Sequence, residues 1–62
     1  MKDYVRHRDG TLVSLDGQAK AWVERNGRHW DAVVSWNGWE ETIASKWERW
    51  EAEVEAEVWM QT

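Results

Sequence analysis

Four dipeptides, Asp9–Gly10, Asp16–Gly17, Asn26–Gly27 and Asn37–Gly38, punctuate the chain at short intervals, and nothing else in it restricts the fold so strongly. Asp-Gly and Asn-Gly are the pairs that two-residue type I′ hairpin turns require, because both central residues must take positive φ. The segments between them are five to nine residues long and rich in Val, Trp and Thr. They predict an antiparallel meander of five strands over residues 3–44.

Each two-residue turn also fixes which residues lie opposite one another. The Asp9–Gly10 turn pairs Val5 with Ser14, and Asp16–Gly17 pairs Leu12 with Ala21 and Ser14 with Ala19. Asn26–Gly27 pairs Val23 with Trp30 and Ala21 with Ala32; Asn37–Gly38 pairs Trp36 with Trp39 and Ala32 with Ile43. All four turns agree on one core face: Val5, Leu12, Ala19, Ala21, Val23, Trp30, Ala32, Val34 and Ile43. The other face carries Tyr4, Val13, Leu15, Trp22 and Val33 among Arg6, Arg8, Lys20, Glu24, His29, Asp31 and Glu40. Apolar side chains interspersed with charges are typical of a surface that meets a partner.

The stretch from Trp50 to Trp59, WEAEVEAEVW, reads two ways. With period two it is a strand that would close a small six-stranded all-β barrel. With period 3.6 it continues an apolar stripe through Ile43, Trp47, Trp50, Val54 and Val58. Ser45 and Glu48 have capping-box spacing, and Ala and Glu form helices better than strands. The reading is therefore α+β: a single domain, residues 1–62, in which a C-terminal helix over 46–60 packs its Trp47 and Trp50 side onto the alanine-rich sheet face.

A chain of 62 residues has little core to bury, and with no cysteine it has no disulfide to reinforce it. Seven tryptophans are the available bulk. Trp30, Trp36, Trp39, Trp47 and Trp50 are expected in the core; Trp22 and Trp59 are left for a partner or a dimer contact through the free sheet face or its edge. With neither a charged leader before an apolar segment nor an apolar run of membrane length, the chain reads as soluble and cytoplasmic.

Catalytic chemistry finds few residues to work with. His29, Asp31 and Glu24 would share a sheet face, but mixed charges on a solvated face are the simpler account of them. No nucleophile motif or phosphate-binding loop occurs, and so small a chain leaves little room for a substrate cleft. The expectation is a binding protein, not an enzyme, with no cofactor and no metal.

The charge is unevenly placed: residues 37–62 carry two Lys/Arg against seven Asp/Glu. That opposes direct binding to nucleic-acid phosphates. In size and charge the chain resembles phage and plasmid inhibitors of host defence nucleases, anti-CRISPR and anti-restriction proteins among them. Spaced carboxylates can imitate a phosphate backbone, so the expectation is a nucleic-acid mimic in the host-cell cytoplasm, presenting Glu48, Glu51, Glu53, Glu55 and Glu57 to a protein partner with a basic surface, with Trp22 and Tyr4 as further contacts; a solvated face that keeps a tryptophan-rich chain soluble is the simpler account of the same glutamates. A sheet followed by a helix is also similar to single-stranded-DNA-binding coactivators and plant three-stranded DNA-binding domains, but their basic sheet face is missing here. A tryptophan-rich glycan or small-ligand binder and a structural homo-oligomerising domain are the alternative functions.

Overall fold

A computed structural model describes residues 3–62. Five antiparallel strands, β1 (Tyr4–Arg6), β2 (Leu12–Ser14), β3 (Ala19–Asn26), β4 (His29–Trp36) and β5 (Trp39–Lys46), pair in sequence order, and α1 (Arg49–Gln61) follows. The sheet stays open, with β1 and β5 at its edges, so the barrel is not formed.

The turns account for the register, including where it departs from expectation. Asn37 (φ 50) and Gly38 (φ 82) both take the positive φ of a type I′ turn, and Trp36 pairs with Trp39. Leu12 likewise pairs with Ala21. At the β3–β4 hairpin, Asn26 itself pairs with His29 and Gly27 (φ 65) opens the loop, so Val23 faces Ala32, not Trp30. That displacement is two residues and leaves every side chain on its expected face.

The β1–β2 connection differs by one residue, and the consequence is larger. His7 to Thr11 form a five-residue loop closed by the His7 amide donating to the Thr11 carbonyl at 2.8 Å, and Thr11 donates its amide to Asp9 Oδ1 at 2.9 Å. Val5 therefore pairs with Val13 and Tyr4 with Ser14. A one-residue shift exchanges the faces. Tyr4 and Arg6 turn toward the helix, where Tyr4 packs against the core and its hydroxyl accepts from Gln61 Nε2 at 3.1 Å, while Val5 is left on the open side.

A bulge at Ile43 produces the other correction. Val33 pairs with Thr42 but Ala32 pairs with Ala44, so Ala44 and Lys46 reach the helix side and β5 runs on to Lys46. Ser45 is thereby inside the sheet, where its hydroxyl donates to Asp31 Oδ1 at 2.6 Å. It does not cap the helix. Glu48 occupies the N-cap position in extended conformation without a side-chain cap, and the helix begins at Arg49.

The largest departure is the rotation of α1. Ala52, Ala56 and Met60 face the sheet and are buried with Leu12, Ala19, Ala21, Ala32 and Val34. Small residues on both elements let the backbones approach closely, so the alanine-rich face takes alanines where room for Trp47 and Trp50 was expected. The bulky Trp30, Trp36 and Trp59 fill the perimeter of this contact. Two cations brace the rim, with the Arg25 and Arg49 guanidiniums 5.7 and 5.4 Å from the Trp30 ring centroid.

Candidate docking surface

Turning Ala52 and Ala56 inward forces the other half of the helix outward. At 3.6 residues per turn, Trp50, Val54 and Val58 form one ridge, stepping round by about 40° each and diametrically opposed to Ala52, Ala56 and Met60. Trp50 is 63% exposed, Val54 48% and Val58 51%, and Trp47, just before the helix, is 66% exposed. The ridge spans about 12 Å along the axis. Trp47 stands apart from the ridge, its ring against that of His29 of β4 on the open sheet face, with centroids 4.2 Å apart and planes tilted by 34°.

The glutamates lie along the two flanks of this stripe, Glu51 and Glu55 on one side and Glu53 and Glu57 on the other. Three are tied to cations of the fold: Glu57 to Arg6 at 2.7 Å, Glu53 to Arg49 at 3.2 Å and Glu55 to Lys46 at 3.8 Å. The first and last join the helix to the sheet. All three pairs are close to half exposed, so each contributes little to stability and leaves much of its carboxylate facing water. Among the described residues, Glu48 and Glu51 make no ion pair within 4.0 Å. The five carboxylates thus form an acidic rim around an apolar strip.

The open sheet face is less available than its sequence suggests. Val33 lies at its centre, only 5% exposed, with Trp22 opposite it on β3. The Trp22 indole N–H donates to Glu24 Oε1 at 2.7 Å. Asp31 accepts from Ser45 and, at 3.1 Å, from Asn26 Nδ2, and these two hydrogen bonds, Ser45 first, hold its carboxyl below the ordinary carboxylate value. Glu24, His29 and Asp31 are therefore occupied by Trp22, Trp47 and the Ser45–Asn26 pair. No group of three or more His, Asp or Glu among the described residues is arranged to hold a metal ion.

Trp59 and Trp22, set aside for a partner by the sequence, are respectively packed on the core and bonded within the sheet face. Trp47, Trp50 and the 51%-exposed Trp39, assigned to the core, face solvent. The signal that could have located the surface was the Ala52–Ala56 pair: two alanines one turn apart, matching an alanine-rich sheet. A recess of about 220 Å³ between the β1–β2 loop and the helix N-terminus is lined by Asp9, Thr11, Trp22, Arg49 and Glu53. It is below the usual size of a small-molecule site. No helix among the described residues is long and apolar enough to cross a membrane. No family model, curated protein or solved structure matches the chain.

Proposed function

We propose that this chain is a protein-binding module that works by docking, not by catalysis, and that the outer face of α1 is its contact surface. The observation that carries the reading is the exposure of Trp50, Val54 and Val58 in one strip on a fold whose core is already closed without them. Scattered exposed apolar residues are ordinary on a protein surface; a contiguous strip rimmed by charge is what interfaces use. A tryptophan in the strip suits this role, since large aromatic side chains dominate the energetics of binding sites.

The acidic rim supports a partner with Lys and Arg around an apolar patch. A nucleic-acid-handling protein inhibited by occupation of its basic groove is one such partner, approached through Glu48 and Glu51 with the strip supplying most of the affinity. Self-association is the competing use of the face, and there the rim works against it: whichever way two copies of α1 are laid together, glutamate flanks glutamate.

Site-specific photo-crosslinking tests the reading. A benzoyl-phenylalanine at Val54 should link to a partner in native extract, identified by mass spectrometry, while the same group at Lys20 on the open sheet face should not. Linkage from position 20 alone would overturn it.

A further inference from the structure

The arrangement of the strip and its charges goes further than naming a surface. Resting on the docking role proposed above, we infer that the element α1 receives is a basic amphipathic helix of the partner protein, laid across the Trp50–Val54–Val58 ridge with Lys or Arg beside its own apolar row, facing Glu48 and Glu51.

Two features of the surface carry this. The first is shape. The three exposed side chains follow a single four-residue row. A row of this kind packs best into the groove between equivalent rows of another helix, which brings the axes together at about −50°. An extended strand would find no free hydrogen-bonding edge here, because a helix satisfies its own backbone; the sheet edges that could accept a strand are those of β1 and β5.

The second feature is charge. Glu51 and Glu55 border the row on one side, Glu53 and Glu57 on the other, and Glu48 stands at its N-terminal end. Against these five carboxylates stand Arg6, Lys46 and Arg49, each already paired, so the rim keeps a local charge of −2 (three minus five), carried by Glu48 and Glu51, while the Glu53–Glu57 flank is balanced by Arg49 and Arg6. A visiting helix with cations beside its apolar row meets the unpaired carboxylates of Glu48 and Glu51. A neutral or acidic helix with the same apolar row meets unpaired or like charge, and a second copy of this chain is in the latter class. Charge complementarity therefore discriminates among helices that the apolar row would otherwise accept alike.

Three synthetic peptides of about 16 residues test this against the whole chain: one with leucines four apart and lysine on both flanks, one with the lysines changed to glutamate, and one with the lysine composition scrambled. Binding is followed by tryptophan fluorescence and by amide shifts in NMR spectra, and self-association by sedimentation in the absence of peptide. The lysine-flanked peptide should bind at least about tenfold more tightly than either control, moving the amides of Trp50, Val54 and Val58, and should weaken as ionic strength rises from 0.05 to 0.5 M. Val54→Asp should abolish binding; Glu48→Lys with Glu51→Lys, both on exposed or half-exposed positions that the core does not use, should reduce the preference for lysine over glutamate while the sheet amides stay in place.

Equal binding of the lysine and glutamate peptides at the strip would overturn the basic partner while leaving the docking face standing. Binding of no peptide, or shifts confined to the open sheet face, would overturn both readings, as would a dimer formed through the strip that excludes peptide.

Discussion

Replacing Trp50 by alanine and, separately, Ala56 by leucine reports which side of α1 is held against the sheet. A fully buried tryptophan cut to alanine costs about 3–5 kcal/mol. With 63% of Trp50 exposed, only about a third of that contact exists to be lost, or about 1–2 kcal/mol, and alanine's better helix propensity returns about 0.5 kcal/mol. The net loss is about 1 kcal/mol. Ala56 is 2% exposed and meets a sheet face where Ala19, Ala21 and Ala32 are fully buried, so the added leucine atoms have nowhere to go without separating helix and sheet. That overpacking costs about 1–3 kcal/mol, from a total that for a chain of this size is about 3–5 kcal/mol. In urea, with a slope of about 1 kcal/mol per molar, the midpoint should fall by about 1 M for Trp50→Ala and by up to about 3 M for Ala56→Leu. The reverse order, with Trp50→Ala close to unfolded and Ala56→Leu unchanged, would refute the packing described here.

Ser45→Ala should leave helix content unaltered, because Ser45 bonds Asp31 and caps nothing, and should raise the Asp31 midpoint toward the ordinary value in a carboxyl-carbon NMR titration. The sign for stability follows from the depressed Asp31 value: its contribution is complete above the unfolded carboxylate range, about pH 4, and disappears as pH falls through the lower folded value, so an acid titration of urea stability should be flatter in Ser45→Ala than in the parent. Glu48→Ser supplies the missing cap and should stabilise the fold by about 0.5–1 kcal/mol, seen as a raised urea midpoint. Gly38→Ala places a side chain at φ 82 and should cost about 1 kcal/mol or more by the same assay, although open space surrounds the position.

The sheet was legible because its information is local. Asp-Gly and Asn-Gly pairs state where hairpins turn, and alternation states which residues share a face; Leu12, Ala19, Ala21, Ala32 and Val34 follow from those two facts alone. What failed did so where one residue decides. The His7–Thr11 loop uses an odd number of residues, which no dipeptide announces, and it exchanges Tyr4 with Val5. The Ile43 bulge is likewise invisible in composition, and it draws Ser45 into the sheet and delays the helix to Arg49. The rotation of α1 failed for a different reason. Hydrophobicity favours the stripe of Trp50, Val54 and Val58 over that of Ala52 and Ala56, yet close packing on an alanine-rich surface rewards small side chains, and complementarity across two elements is not written in either one separately. Since the strip owes its exposure to that choice, the candidate site was hidden by the same error that placed its residues in the core.

The rotation of α1 is therefore the point on which the account stands, and a methyl-resolved NOESY spectrum of the isotope-labelled chain reads it directly. Cross-peaks from the Ala52 and Ala56 methyls to those of Ala21, Ala32 and Val34, with the Trp50 indole showing none to the sheet, are the predicted result. Cross-peaks from the Trp50 indole and the Val54 methyls to Ala19, Ala21 or Ala32, with Ala52 and Ala56 silent, would contradict it and remove the docking surface with it.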